Sequence, residues 1–267
     1  IYIHICVCAH HLEPQPRPDC VPGSRVLAID RDHSSQACAS AVQSTAGWEE
    51  RVRVSLGVTN AEAMRQCASQ GMPTHAVVFD WGVSSMQLDE AERGFSFRGQ
   101  GPLDMRMQQQ ADGSTLTAHD IVNHWPEEEI RRLVQQWGEE PGWLASRIAA
   151  GIASARERAP IQTTLHLAEI VKMAIPHREA NARKIHPATK TFQAIRIAVN
   201  DELRQAEEGL QAADQLLNQS SVRPQLLVVV SFHSLEHNLA KKYMQGLVRR
   251  RVGWRWAEKG LSPDQVE

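Results

Sequence analysis

Short apolar runs recur along the first third of the chain and once more near its end, and each is bounded by polar residues. Five of these runs have the length of a strand: 1–5, 25–30, 51–56, 75–80 and 226–232. The run at 51–56 is the weakest, because its apolar and polar positions alternate. Helical patterns at 34–46 and 61–69 lie between them. Because strands here alternate with helices, the pattern predicts βαβ units with right-handed crossovers, and therefore a parallel sheet.

The middle of the chain has a different pattern. From residue 117 to 174 the apolar positions recur only with the period of a helix. A second stretch, 186–217, carries Phe192, Ile195 and Val199 on one apolar stripe and predicts a single long helix. The sheet pattern then resumes at 226. The sequence therefore predicts an α/β domain that is interrupted by a helical insertion.

The composition narrows the class of protein. Of the 267 residues, 42% are hydrophobic and 22% are charged, which is ordinary for a globular protein in water. No apolar run reaches the roughly 18 residues that a membrane-spanning helix needs, so we expect no membrane partner. The net charge of −2 argues against electrostatic binding of nucleic acid over the whole surface, but it leaves room for local basic patches. Because the chain starts at Ile1 rather than Met, we expect it to be a fragment, with any targeting segment out of view.

The cysteines all lie in the first quarter of the chain: Cys6, Cys8, Cys20, Cys38 and Cys67. Cys6 and Cys8 lie close to His10 and His11, which raises the question of a metal site. This arrangement lacks the two-plus-two ligand spacing of structural zinc sites. We therefore expect thiols in a reducing compartment and no metal.

Two acidic residues stand at the ends of predicted strands, Asp30 after the second run and Asp80 after a later one. Parallel sheets bind ligands outside the carboxyl ends of their strands, so both carboxylates are expected at one crevice. A carboxylate there can accept two hydrogen bonds from a ribose, although Asp30 is equally well read as a cap for the next helix. The pair favours a nucleoside-like ligand. A nicotinamide-dependent oxidoreductase is disfavoured, because only Gly23 stands where the G-x-G-x-x-G fingerprint belongs.

Three segments carry a family resemblance: "DWGVSSMQLDEAERGFSFRGQGPLDMRM" at 80–107, "HPATKTFQAIRIAVNDEL" at 186–203 and "VVVSFHSLE" at 228–236. They resemble the small-subunit ribosomal RNA (cytosine-N4)-methyltransferases of the RsmH/MraW type. The likeness extends over roughly 25 to 240 and rests on long motifs of low degeneracy. Within the first motif, Trp81 replaces a leucine, and Gln108 replaces the aspartate that follows the motif.

The resemblance implies a fold and a reaction. The fold would be the class I (Rossmann-like) S-adenosylmethionine-dependent methyltransferase sheet with an inserted all-helical subdomain. Residues 1–107 and 191–267 would form the methyltransferase domain and 108–190 the insertion, although the sequence after Glu236 departs from the family. The reaction would be methylation of the N4 amine of a cytosine in small-subunit ribosomal RNA. The resemblance fixes neither which cytosine is modified nor the oligomeric state. The compartment would be a bacterial cytoplasm or, in a eukaryote, a chloroplast or mitochondrion.

Cofactor and catalytic roles carry over to individual positions. The resemblance assigns cofactor binding to Asp30, Asp80 and Gln87, whereas Thr59 matches the family's aromatic contact poorly and is not assigned. The cytosine amine is a weak nucleophile, so the enzyme mainly needs alignment and an acceptor for its protons. Asp80 and Ser84 are the leading acceptors, although Ser84 is equally well explained by turn hydrogen bonds.

Weaker acceptor candidates are Asp104 and His233. A salt bridge to Arg106 is the favoured explanation of Asp104, and burial after the last strand is an equal alternative for His233. Neither residue is assigned a catalytic role from the sequence alone.

Candidate RNA contacts lie in the same motifs. Phe95 and Phe97, flanked by Arg93 and Arg98, are suited to stack on bases while the arginines contact phosphates. An equal alternative is that both phenylalanines anchor the loop to the core. Two clusters of basic residues also favour RNA as a partner, either as ribosomal RNA or within the assembling small subunit. Such clusters are, however, often solvated helix faces. The first cluster is Arg178, Arg183, Lys184, His186, Lys190 and Arg196, of which Lys190 and Arg196 are the predicted RNA contacts. The second cluster is Lys241, Lys242, Arg249, Arg250 and Arg251.

The first residues depart from the family. "IYIHICVCAHHLEP" begins like its first strand, but Cys8 to His11 stand where a glycine-rich loop belongs. Glycines there let the backbone approach the methionine part of the cofactor, and side chains would fill that space. Either the segment reflects an error in the gene model, which is favoured, or the protein binds cofactor weakly. The second case would leave a non-catalytic RNA-binding or ribosome-assembly relative.

Overall fold

The computed structural model describes residues 4–9, 24–32, 35–44, 52–108, 116–222 and 225–258. Its five strands are β1 (His4–Ala9), β2 (Ser24–Asp30), β3 (Val52–Leu56), β4 (Ala76–Asp80) and β5 (Leu226–Val230). They form one sheet in the order β3-β2-β1-β4-β5. The chain thus has the mixed helix and strand content that the apolar pattern predicts, with a strand overlapping each of the five predicted runs, although the first strand, predicted at 1–5, is described at His4–Ala9.

The direction of the first strand differs from the prediction. β2 pairs parallel with β3, and β4 pairs parallel with β5, but β1 is antiparallel to both β2 and β4. A parallel neighbour needs a crossover of a dozen or more residues, usually a helix. The segment between β1 and β2 contains four prolines and no helical pattern, so the sequence offers no such crossover. The prediction of a wholly parallel sheet was wrong at this strand.

Eleven helices are present in the described part of the chain. The first three are α1 (Gln36–Gln43), α2 (Asn60–Ser69) and α3 (Ser85–Asp89), followed by a 3₁₀ turn at Ala91–Arg93. The remaining eight are α4 (Ala118–His124), α5 (Glu127–Gln136), α6 (Gly142–Arg158), α7 (Thr164–Ala174), α8 (His177–Ala182), α9 (Thr189–Asn200), α10 (Glu202–Gln219) and α11 (Ser234–Glu258). None of these helices is both long and apolar enough to cross a membrane.

The predicted long helix at 186–217 is two helices. α9 ends and α10 begins at Asp201, whose φ of 52° places it in the left-handed region. Aspartate tolerates that region better than most residues. The preceding residue, Asn200, is buried and bonds to the loop at Met105 and Met107. The chain turns at Asp201, directly after the residue whose side chain bonds to the Met105–Met107 loop. The helical period of the sequence continues through Asp201 and therefore does not reveal this turn.

Buried apolar side chains form two clusters. One lies between the sheet, α2 and α10 and includes Met64, Phe79 and Leu210. The other fills the space among α4 to α7 and α9, with Ile130 and Ile148 among its fully buried members. Each such side chain contributes roughly 1.5–3 kcal/mol by leaving water. The second cluster buries the apolar side chains of the helices that follow residue 117, together with Phe95, Leu103 and Phe192.

The four strands other than β1 all run in one direction, since β2 and β4 are each antiparallel to β1. Their carboxyl ends therefore lie at the same edge of the sheet. Asp30 is paired with the last residue of β3, Leu56, and Asp80 with the last residue of β5, Val230. This edge is where the predicted acidic residues lie.

Candidate functional site

A cleft with about 640 Å³ of empty space, part of it open to solvent, lies at this edge. The loops after β2, β3 and β4 line it, together with the ends of α9, α10 and α11. Its lining residues are Asp30, Arg31, Asp32, Thr59, Asn60, Trp81, Gly82, Gln87, Met107, Asn200, Glu202, Gln205, Ala206 and Glu236. Of the predicted cofactor residues, Asp30 and Gln87 line the cleft, and Asp80 immediately precedes the lining residue Trp81.

Asp30 is buried, with 4% of its surface exposed. One carboxylate oxygen accepts the N–H of Asp32 at 2.8 Å, and the other accepts the Ser35 hydroxyl at 2.6 Å. Burial raises the pKa of the Asp30 carboxyl above its ordinary value, although both hydrogen bonds oppose this shift. The local capping bonds of the alternative interpretation are thus present, and the side chain still faces the cleft.

Asp32 ties the loop after β2 to the loop after β4. Its Oδ2 atom accepts a hydrogen bond from Gln87 Nε2 at 2.7 Å and an ion-paired one from Arg93 Nη2 at 2.8 Å. All three side chains are buried. Arg93 also donates to the carbonyl groups of Arg106 and Met107. Sequence reasoning missed Asp32, and the only local signal for it was a second acid two positions after Asp30.

Ser84 and Gln87 form a reciprocal cap at the start of α3. Ser84 Oγ accepts the Gln87 N–H at 3.1 Å, and Gln87 Oε1 accepts the Ser84 N–H at 3.0 Å. This arrangement is the turn chemistry that was the alternative for Ser84, and Ser84 is not among the lining residues. Because its amide oxygen is used in the cap, Gln87 presents its NH₂ group to Asp32.

Asp80 is half-buried at the end of β4. Its Oδ1 atom is shielded from solvent and has no hydrogen-bond partner in the described part of the chain. A buried acceptor without a donor is costly in a folded protein and is common where a ligand supplies the donor. The following glycine, Gly82, has φ 109°, and a Cβ atom there would lie 2.7 Å from the Phe232 ring. The chain can therefore turn away from the sheet after Asp80 only with glycine at this position.

The far wall of the cleft comes from residues that sequence reasoning assigned no role. Asn200 Oδ1 accepts the Met107 N–H, and its Nδ2 donates to Met105 O, both at 2.8 Å. Glu236 is buried and accepts the Phe232 N–H at 2.9 Å, and His233 Nε2 lies 3.3 Å from its other oxygen. Burial would raise the pKa of Glu236, but the bonds from His233 and Phe232 outweigh it, so the pKa lies below its ordinary value. Glu236 is therefore an anionic wall of the cleft.

The predicted RNA residues separate into two groups by exposure. Arg93 and Phe95 are buried, and Phe95 belongs to the helical cluster, as the loop-anchoring alternative requires. Phe97 is half-buried against the same cluster, whereas Arg98 is exposed. Lys190 donates to the Glu139 carbonyl, and Arg196 forms a two-point ion pair with Glu202.

Other candidates also have internal partners. Asp104 forms the expected ion pair with Arg106 at 2.8 Å. Two groups of described residues have metal-ligand geometry, namely His119 with Asp120 and His124, and Glu202 with His233 and Glu236. A carboxylate of each group is already bonded, to Thr117 in one and to Arg196 in the other. Neither group is therefore interpreted as a metal site.

Several sequence candidates lie outside the described residues or have side chains that do: Cys6, Cys8, His10, His11, Cys20, Cys38, Arg249, Arg250 and Arg251. Of the five cysteines, only Cys67 has a described side chain, and it is buried. The metal question at Cys6 and Cys8 is therefore not addressed by the fold.

Comparison with known proteins identifies relatives across most of the chain. The MraW methylase family matches residues 19–254. Ribosomal RNA small subunit methyltransferase H of Methylobacterium sp. (strain 4-46) is 44% identical over 86% of this chain and 64% of its own length. Its namesakes from Geobacter sp. (strain M21) and Paenibacillus sp. (strain JDR-2) are 44% and 40% identical, over 67% and 70% of their lengths. The chain thus spans about two thirds of the relatives it matches.

Proposed function

We propose, because the chain belongs to the MraW methylase family, that it transfers a methyl group from S-adenosylmethionine to the N4 amine of a cytosine in small-subunit ribosomal RNA. The curated relatives carry the name of a small-subunit RNA methyltransferase. The observation that supports the proposal most is the cleft itself, because Asp30 and Gln87, to which the resemblance assigns cofactor binding, both line it. Transfer to N4 in particular rests on the resemblance of the motifs.

The cleft has features that fit this cofactor. It lies outside the carboxyl ends of the four strands that share one direction, which is where open α/β sheets bind ligands. Asp30 retains lone pairs for ribose hydroxyls beyond its two local bonds, and Asp80 has a buried oxygen without a partner among the described residues. Trp81 and Met107 supply apolar surface, and Glu236 supplies negative charge beside a cationic ligand. When bound, the cofactor supplies a methyl group that its positively charged sulfur already activates.

The residues of this chain then have to hold the amine and take up its proton. The lone pair of the cytosine amine is delocalised into the ring, so alignment matters more than a strong base. We assign proton acceptance to Asp80 or Ser84, which flank the cleft-lining residues Trp81 and Gly82. Among the described residues, the Ser84 hydroxyl oxygen accepts the Gln87 N–H in its cap and has a second lone pair and its own proton available for a ligand.

The finer description of the fold is part of the same proposal. A class I (Rossmann-like) sheet is supported by the strand order 3-2-1-4-5, which is that of doubly wound sheets, although β1 runs the other way. An inserted helical subdomain at 108–190, within a methyltransferase domain of 1–107 and 191–267, is supported by the two separate hydrophobic clusters. The helical cluster also draws Phe95 and Leu103 from before this range and Phe192 from after it.

RNA contact is proposed for Phe97, Arg98, Lys190 and Arg196. Phe97 and Arg98 lie on the loop between α3 and α4, and Lys190 and Arg196 lie on α9. Burial of Arg93 and Phe95 favours a packing role for these two instead. As for compartment, the relatives are bacterial proteins, so we propose the bacterial cytoplasm or an organelle of bacterial origin.

The rival is a non-catalytic RNA-binding relative, and the relatives give it no support because each carries a methyltransferase name. One assay distinguishes the methyltransferase from the non-catalytic RNA-binding relative. Small-subunit RNA from cells that lack this methylation is incubated with the chain and methyl-labelled S-adenosylmethionine, then digested to nucleosides for mass spectrometry. The proposal predicts labelled N4-methylcytidine. RNA binding without any labelled nucleoside would favour the rival.

A further inference from the structure

An aromatic pair lies on the surface of the helical part of the protein, separate from the cleft-lining residues. The Phe97 and His186 rings have centroids 4.5 Å apart and planes inclined by 32°. Phe97 is fixed from behind by an edge contact with Phe192, at 4.9 Å, which belongs to the buried helical cluster. His186 itself stays exposed. The pair is thus a short tilted stack in which Phe97 is anchored to the core and the His186 ring is the exposed member.

The imidazole is held in one orientation. Its Nδ1 atom accepts the N–H of Ala188 at 3.2 Å, so the neutral ring carries its proton on Nε2. Partial desolvation of the ring by its neighbours, together with the nearby Lys172 ammonium, lowers the pKa of His186 below its ordinary value. At neutral pH the ring is therefore uncharged, which makes it suitable for stacking on a base.

The surroundings of the pair are basic and apolar. Lys172 is exposed, and it lies close enough to His186 to lower the pKa of the imidazole. Arg98 follows Phe97 directly, Lys184 precedes His186 by two positions, and both are exposed. Met173 and Ile185 each expose about half or more of their surface, 76% and 49%. Exposed apolar side chains among cations suit a ligand with flat apolar faces and negative charge, which is the chemistry of single-stranded RNA.

We propose that Phe97 and His186 form a stacking platform for an unpaired base of the substrate RNA, with Lys172 contacting a neighbouring phosphate. This inference rests on the proposed function and gives it a docking surface. Phe97 lies on the loop whose two ends are fixed beside the cleft, since Arg93 bonds to Asp32 and Met107 bonds to Asn200, and His186 lies just before α9, the helix that ends at Asn200. A base held there would orient the strand that leads to the cleft.

The test measures binding of a short, unstructured, pyrimidine-rich RNA to the whole chain. The RNA carries a fluorescent label, and its anisotropy reports binding. His186→Ala is expected to weaken binding about tenfold with an unchanged salt dependence, because stacking contributes affinity without releasing counterions. His186→Phe should restore the affinity. Lys172→Gln should reduce the slope of log K against log salt by about 0.7. The matched control is His166→Ala, which removes another exposed histidine of the helical part, on α7, and should bind like the parent.

Two results would overturn the platform. The first is a His186→Ala variant that binds as the parent or as His166→Ala does. The second is a parent chain that binds no RNA at all. Calorimetry with S-adenosylmethionine alone distinguishes failure of the platform from failure of the proposed function. If the parent binds the cofactor but His186→Ala leaves RNA binding unchanged, only the platform is refuted.

Discussion

Asp30 and Asp32, two acids two residues apart, have different hydrogen-bond partners. Asp30 faces the cleft and keeps hydrogen-bonding capacity for a ligand. Asp32 is used internally, because it neutralises Arg93 and positions Gln87. The first residue is therefore expected to affect binding, and the second to affect the stability of the loop that follows β4.

Replacing Asp32 should destabilise the fold. Asp32→Ala leaves the Arg93 charge buried without its ion-pair partner, and loss of one member of a buried pair costs about 3–5 kcal/mol. The free energy of unfolding is measured by urea denaturation. The control Asp89→Ala removes an exposed acid of α3 and should change the free energy by less than about 0.5 kcal/mol. Equal stabilities of the two variants would contradict the network.

Replacing Asp30 should affect stability and binding in opposite directions. Its pKa is raised in the folded protein, so its contribution to stability is complete below the unfolded pKa and is lost as pH rises through the folded one. At neutral pH the ionised side chain therefore costs stability. Asp30→Asn should be at least as stable as the parent at neutral pH, and this advantage should disappear in acid.

The binding arm of the same variant uses calorimetry with S-adenosylmethionine. Asp30→Asn should bind at least about tenfold more weakly, because a charge-assisted hydrogen bond is replaced by a neutral one. A variant that is clearly less stable than the parent at neutral pH, or that binds the cofactor equally well, would contradict the assignment.

At the scale of elements, the apolar pattern predicts most strands and helices, because burial on one face imposes a period on the sequence. It does not predict the direction of β1, which depends on the length and proline content of the connection to β2. It also misses the break at Asp201, since one left-handed residue leaves the stripe of Phe192, Ile195 and Val199 intact. Contacts across long separations are equally invisible locally: Asp32 meets Gln87 and Arg93, 55 and 61 residues away.

The break at Asp201 can be tested with two substitutions. Both Asp201→Val and Asp201→Gly remove the exposed ion pair with Arg204, so their difference isolates the backbone. Valine in the left-handed region should cost about 1–2 kcal/mol relative to glycine, which adopts it freely. Urea denaturation measures the difference. Equal unfolding free energies would mean that Asp201 does not need the left-handed conformation.

At the scale of the whole molecule, two packed clusters meet at the cleft. The sheet contributes Asp30 and Asp80 from its carboxyl edge, and the segment that leads into the helical cluster contributes Met107 and Asn200. The net charge of −2 does not reveal where basic residues are concentrated, because they lie in local clusters along the chain. The family resemblance predicts Asp30, Asp80 and Gln87 for the candidate site, and the fold places Asp32, Asn200 and Glu236 beside the same cleft.

The most direct test of the central claim is methyl transfer by the parent chain, Asp80→Asn and the control Asp89→Asn, measured as labelled N4-methylcytidine in small-subunit RNA. Asp80→Asn keeps the size of the side chain but removes the charge at the end of β4, whereas Asp89 is exposed on α3. The parent and Asp89→Asn should form the product at similar rates, and Asp80→Asn should lose at least about a hundredfold, the contribution of a positioned proton acceptor. Undiminished product with Asp80→Asn, or none with the parent, would contradict the claim.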